Sequence, residues 1–136
     1  MEADLIQKYS KYSVSELIKI ATKHFNAYIR KRDEGDACIS CRRFSEKMQA
    51  GHFFSAGHHP ALRFNEYNVN GQCVRCNMFL SGNLHEYGRN LVFKIGQEKI
   101  SELNIIADTY KRTGFKWDRF SLIDIIEKYK LKNKHC

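Results

Sequence analysis

Cysteines at positions 38, 41, 73 and 76 form two Cys-x-x-Cys knuckles; His52 lies between them and Asn77 follows the second directly. A Cys-x-x-Cys turn presents two thiolates at the separation that one tetrahedral zinc ion takes, and two such turns complete a four-sulfur site. That site is closed to substrate. Zinc held by Cys38, Cys41, Cys73 and Cys76 would therefore staple the chain rather than catalyse. Disulfides or merely buried thiols fit the paired spacing less well.

His52 and Asn77 bring a second chemistry. A neutral imidazole serves as a general base near pH 7. An amide oxygen is a hard, uncharged ligand suited to Mg2+ or Mn2+, with water and phosphate oxygens completing the octahedron. Phosphodiester hydrolysis needs these parts: a base for the attacking water, a Lewis acid at the phosphate and leaving oxygen, and positive charge nearby. His52 is the expected base and Asn77 the expected ligand of a catalytic cation, with Arg63 and Arg75 flanking them to clamp phosphate. Plainer readings stand beside these: a strand histidine packed on the knuckles, a helix asparagine bonding nearby backbone, and surface arginines.

Several elements must position these groups. Met48 to Phe54 reads as a strand carrying His52, Ser55 to Pro60 as a turn, and Ala61 to Phe64 as the returning strand of a hairpin. The asparagine-rich stretch from Asn65 to Gln72 reads as loop. The second knuckle opens a short helix through Asn77 to Leu80, stopped by Gly82. Asn83 to Glu86 has the form of a capping box starting a helix to about Lys94. After Gly96, Gln97 to Arg112 continues helically, and Trp117 to Lys132 makes a last amphipathic helix. Ahead of the knuckles, a capping box at Ser13–Glu16 opens a helix to Arg32. Its Leu17, Ile20, Ala21, His24, Phe25 and Tyr28 form an apolar stripe. Its Lys19, Lys23, Arg30, Lys31 and Arg32 make a basic side, for phosphate or for solvent. Asp33 to Asp36 breaks this helix.

The 136 residues are expected to form one α+β domain: an N-terminal helix at 13–32, a zinc-stapled core at 38–83 and a helical region at 84–136. A net charge of +8 and a pI near 9.3 point to an anionic partner, with nucleic acid foremost. No apolar run approaches the ~18 residues of a membrane span. Met1 to Ser10 lacks a basic then apolar leader, so a cytoplasmic location is expected. Cys136 is expected to be a free, exposed thiol.

The run Ala50-Gly51-His52-Phe53, the segment Leu62-Arg63-Phe64-Asn65-Glu66, and Gln72-Cys73-Val74-Arg75-Cys76-Asn77 with Leu80-Ser81-Gly82-Asn83 resemble the NinG/Rap recombination family of lambda-type phages. The wider plan is similar to the HNH (ββα-metal) nuclease superfamily and to recombination endonuclease VII. The likeness runs from about Tyr28 to Gly96. It implies a zinc-ribbon ββα-metal core and a structure-specific endonuclease acting on branched DNA, such as Holliday junctions and D-loops, in the host cytoplasm. It also implies a structural zinc on the four cysteines, a catalytic Mg2+ or Mn2+ at Asn77, His52 as base, and Asn68 as the residue holding the hairpin loop. A homodimer would suit two symmetric cuts at a junction.

One departure matters. Many HNH enzymes carry Asp before the base histidine as a second metal ligand, whereas Gly51 stands here. His58, Asn83 and Glu66 are the weak substitutes that the sequence offers. The alternative to an enzyme is a non-catalytic zinc-ribbon DNA-binding protein, and a zinc-stabilised protein adaptor is a third reading.

Overall fold

The capping box at Ser13 forms as expected. The Glu16 amide donates to Ser13 Oγ and the Ser13 amide donates to Glu16 Oε1, both at 3.1 Å. It starts α2 (Val14–Arg32), which follows a short α1 (Ala3–Lys8). A computed structural model describes residues 1–135; Cys136, expected as a free thiol, lies outside them. The chain divides into two compact units, one of residues 29–115 and one of residues 1–28 with those from 116 onward.

In the second of these units α1 and the start of α2 are joined by α5 (Arg119–His135). Leu17, Ala21 and Phe25 from the apolar stripe are buried with Leu122, Ile123, Ile126 and Tyr129. The Phe25 and Tyr129 rings meet edge to face at 5.0 Å. The last helix starts later than Trp117 because Asp118 accepts the Ser121 amide at 2.9 Å and caps it.

The larger unit holds a two-stranded antiparallel sheet. Strand β1 (Met48–His52) pairs with β2 (Val69–Cys73), with Met48 opposite Cys73 and His52 opposite Val69. This corrects the hairpin read from the sequence. Ala61 to Phe64 is not a strand: Pro60–Leu62 forms a single 3-10 turn, with Pro60 at its first position, where no amide hydrogen is needed. The returning strand lies in the stretch read as polar loop. Asn70 and Gln72 look like loop residues, yet both are fully buried and hydrogen-bonded. Asn70 Nδ2 donates to Tyr87 Oη at 3.0 Å, and Gln72 Nε2 donates to Ser40 Oγ at 2.9 Å. A strand buried on both faces, one of them polar, shows no apolar alternation to read.

After β2 comes one wide π-type turn (Arg75–Phe79), in which the Leu80 amide reaches back to the Arg75 carbonyl at 2.9 Å. Helices α3 (Leu84–Ile95) and α4 (Gln97–Thr113) follow, parted at Gly96, whose φ of +86° favours glycine. Their buried Tyr87, Leu91, Leu103 and Ala107 form a core with Ile39 and Leu62. The capping box expected at Asn83 does not form. Asn83 sits in the left-handed region at φ +42° with no side-chain cap bond, and its side-chain Nδ2 donates to Cys76 Sγ at 3.6 Å.

Asp33, read from sequence only as part of a helix break, is a buried pin at 5% exposure. Its Oδ2 accepts the Gly71 amide of β2 and Lys94 Nζ of α3, each at 2.7 Å. Arg32 joins both Asp33 oxygens and donates to the carbonyls of Glu66 and Val69 at 2.8 Å. Arg32 therefore belongs to an internal network and not to the solvated basic side expected of it. Burial alone would raise the Asp33 pKa. The hydrogen bonds from Arg32, Lys94 and the Gly71 amide overrule it and hold the carboxyl at about 2.

A depressed carboxyl stabilises the fold above the ordinary Asp pKa and loses that contribution as pH falls toward its folded value. Thermal melts of the wild type should show about 2–3 kcal/mol of Asp33-dependent stability disappearing between pH 4 and 2. Asp33→Asn should be less stable at pH 7 and lack that portion of the acid transition.

Candidate functional site

The first knuckle precedes β1, and the second straddles the end of β2 and the wide turn. Pairing Met48 with Cys73 sets the second knuckle's first cysteine at the open end of the sheet. The four sulfurs all lie within 4.8 Å of one another. Cys41 Sγ and Cys73 Sγ are 3.8 Å apart, far beyond a disulfide bond. The edge of a zinc–sulfur tetrahedron with ~2.3 Å bonds is about 3.8 Å, so the cluster fits a zinc-like ion. Backbone amides already face the sulfurs: Cys73 N–H donates to Cys38 Sγ at 3.3 Å and Cys76 N–H to Cys73 Sγ at 3.4 Å. Burial works to raise the Cys38 pKa, but the amides of Cys73, Cys41 and Ser40 draw that thiol down to about 7. Burial raises the Cys76 thiol. A bound cation would hold all four sulfurs as thiolates and so release the protons of those that were thiols.

His52 ends β1. Its Nε2 lies 2.9 Å from the Arg63 carbonyl. A carbonyl only accepts, so Nε2 carries the hydrogen and the neutral ring leaves Nδ1 as its acceptor. Burial, the largest influence, lowers the His52 pKa below the ordinary histidine value and favours that neutral form.

The loop that carries the Arg63 carbonyl is held at the preceding residue, Leu62, by Asn68. Its Oδ1 accepts the Phe54 amide at 2.8 Å, while Nδ2 donates to the carbonyls of Phe54 at 3.0 Å and Leu62 at 3.1 Å. Asn68 is fully buried and clamps both limbs of the loop between the strands. Tyr87, which sequence reasoning missed as a site residue, completes the clamp by donating to the Gly51 carbonyl at 2.7 Å.

Asn77 does not meet His52: among the described residues no hydrogen bond joins them. Its Nδ2 donates to Gln49 Oε1 at 2.8 Å. The register puts Gln49 and Gly51 on the face of the sheet that carries Asn70 and Gln72, while His52 belongs to the other. The absence of a side chain at 51 has a steric cause. A Cβ there would stand 1.9 Å from Gln72 Oε1 and 2.8 Å from Gln72 Cβ. Gln72 Oε1 is buried without a hydrogen-bond partner, while its Nε2 ties Ser40 to the Gly82 carbonyl. Gln72 opens a run that carries the family resemblance but takes no role from it, and Gln49 lies outside those runs; only the two-residue period of β1 could have placed Gln49 beside position 51.

Arg75 is exposed and lines, with Arg43 and the exposed Phe44, a pocket beside Cys41, Cys73 and Cys76. The three weak substitutes for a ligand at position 51 are engaged elsewhere. The Asn83 side chain bonds Cys76, Glu66 is tied to Arg32 through its backbone carbonyl, and His58 lines, with His85, a separate pocket beside Phe53 and Phe54.

The family model described as "Bacteriophage Lambda NinG protein" matches residues 2–136. The chain belongs to the NinG family. It is 43% identical over 99 residues to protein ninG of Escherichia phage lambda, covering 72% of this chain and 48% of that one. To protein ninG of Escherichia phage 933W it is 42% identical over 99 residues, covering 72% and 49%. To protein ninG of Salmonella phage P22 it is 36% identical over 129 residues, covering 94% and 62%. The chain thus spans about half the length of the lambda and 933W NinG proteins that it matches. No solved structure matches it.

For this NinG-family chain, removing the cation with a chelator, or Cys73→Ser, should abolish cooperative melting of residues 29–115. An unchanged melting curve after chelation would rule out the staple. Gly51→Asp should destabilise by about 1–3 kcal/mol through overpacking against Gln72. In a double-mutant cycle Gly51→Asp/Gln72→Ala should lose less than the sum of the two single losses, and strict additivity would contradict the steric account.

Proposed function

We propose that this NinG-family chain is a divalent-metal-dependent endodeoxyribonuclease of the HNH (ββα-metal) type. Its substrates in this reading are branched recombination intermediates such as Holliday junctions and D-loops. The observation that carries the reading is the bond from His52 Nε2 to the Arg63 carbonyl, because it leaves a neutral imidazole with Nδ1 open to take a proton from water.

The assignment of parts follows from the residues. His52 accepts the proton of the attacking water. Asn68 and Tyr87 hold the loop and strand end that aim the imidazole. Arg63 and Arg75 meet phosphate oxygens, and the +8 charge of the chain attracts DNA. Asn77 would hold the catalytic Mg2+ or Mn2+, which when bound stabilises charge on the scissile phosphate and the leaving 3′ oxygen. The four cysteines keep zinc as a closed structural ion. No described helix is long and apolar enough to cross a membrane, and the reading has the chain work on DNA in the host cytoplasm. A homodimer would deliver paired cuts across a junction.

A second reading, a zinc-ribbon DNA-binding protein that cuts nothing, draws on one observation. The room for a ligand at position 51 is filled by Gln72, and Asn77 is bonded to Gln49.

Incubating zinc-loaded protein with a labelled four-way junction and Mg2+ or Mn2+ separates the two. Cleavage is expected from the wild type, and a loss of about 10²-fold or more from His52→Ala with DNA binding retained. Because the His52 pKa is lowered, the rate should already be on its plateau at pH 7 and fall only below the ordinary histidine range. DNA shifted but uncut by both proteins would favour the binding module.

A further inference from the structure

We propose that Gln49 and Asn77 together form the divalent-cation site, with Gln49 Oε1 supplying the second protein oxygen that Gly51 cannot. This rests on the nuclease reading for its purpose, but the site itself is argued from geometry.

Among the described residues, the only group of three or more His, Cys, Asp or Glu ligand atoms is the cysteine cluster, so no carboxylate or imidazole cluster awaits a hard cation. The partner that the structure sets beside Asn77 is a neutral amide oxygen. Position 51 is closed by Gln72, whose Oε1 and Cβ occupy the space of any side chain there. Two residues earlier, on the same face of β1, stands Gln49, and its amide reaches Asn77.

The separation is that of a ligand pair. Gln49 Oε1 and Asn77 Nδ2 are 2.8 Å apart. Adjacent oxygens on an octahedral Mg2+ with ~2.0–2.1 Å bonds lie about 3 Å apart. A half-turn of the Asn77 amide about its last torsion exchanges Nδ2 for Oδ1, an oxygen that bonds no described residue, and leaves two oxygens facing one point. Without a cation, the amide pair is satisfied as donor and acceptor. With one, both become ligands. The pair thus explains how the site stays folded when empty.

Gln49 and Asn77 are each half-buried, which leaves the remaining coordination positions to water and to phosphate oxygens of the DNA. Two neutral amides carry no charge to attract the ion. The cation should accordingly bind weakly to the protein alone and much more tightly once a phosphodiester completes its shell. Gln49 touches Met78 Sδ at 3.6 Å on its other side, a contact too weak to fix the amide against rotation.

The test uses the zinc-loaded full chain, with and without a four-way junction carrying an uncleavable phosphorothioate linkage. Mn2+ is titrated in and its free signal followed by electron paramagnetic resonance. Gln49→Leu and Asn77→Leu should each weaken Mn2+ binding in the complex by about tenfold or more. Gln49→Glu should tighten it by about tenfold, because a carboxylate still accepts the Asn77 N–H and adds a charge. That gain keeps the inference testable should Gln49→Leu not fold. Mn2+ affinity unchanged within twofold in Gln49→Leu, or no gain in Gln49→Glu, overturns the inference even if native junctions are still cut. Conversely, the expected Gln49 dependence of Mn2+ binding in a protein that cuts no junction upholds the cation site and ends the nuclease reading.

Discussion

Four sulfurs gathered within 4.8 Å of one another are tolerable as thiols and mutually repulsive as thiolates, unless a cation sits among them. The rest of the larger unit depends on that constraint. The knuckles bracket the sheet: one leads into β1 and the other begins on the last residue of β2. Closing them on one ion sets the start of β1 against the end of β2 and so fixes which residues oppose one another. Asp33 performs the matching task in the middle of β2 by capturing the Gly71 amide while anchoring to Arg32 and Lys94. A strand held at its end by sulfur and at its centre by a buried carboxylate has little freedom to slip register.

The interior that this register creates is largely polar. Asn68, Asn70 and Gln72 are completely buried, and their amides take the place that Val or Ile would fill in an ordinary buried strand. Such a network demands that nearly every donor and acceptor be met, and it rewards one arrangement over near neighbours. Asn68 alone satisfies three backbone groups of the long loop between the strands. Gln72 Oε1 goes unmet in this network and lies against the bare backbone of Gly51. The glycine there leaves room for the glutamine diagonal to it across the sheet.

NinG-family membership and the sulfur cluster are common to both functional readings. What divides a nuclease from a binding module is where a second oxygen for a hard cation can come from on one face of a two-stranded sheet. A carboxylate at position 51, beside His52, is sterically closed, and the Gln49 amide two residues away is within reach of Asn77. Neutral ligands shift the burden of cation binding toward the phosphates of the DNA, which would make metal binding and substrate binding interdependent.

The amino-acid sequence alone determined what depends on local spacing. The two knuckles, the Ser13–Glu16 capping box, the apolar stripe of α2 and the imidazole at the end of β1 are each set by neighbours a few residues apart, whereas the loop-holding role of Asn68 came only from the family resemblance and rests on partners as far off as Phe54. It misassigned the second strand, because Asn70 and Gln72 carry loop-like polarity whose burial is made good only by Ser40, Gly82 and Tyr87, remote in the chain. It likewise took Asn83 for a helix cap, although the sulfur of Cys76 draws its side chain elsewhere. The pairing of Gln49 with Asn77, the closure of position 51 by Gln72 and the capture of Arg32 by an internal network were decided by tertiary structure. Each depends on groups far apart in sequence meeting, and no periodicity or motif encodes which partner a side chain will find there.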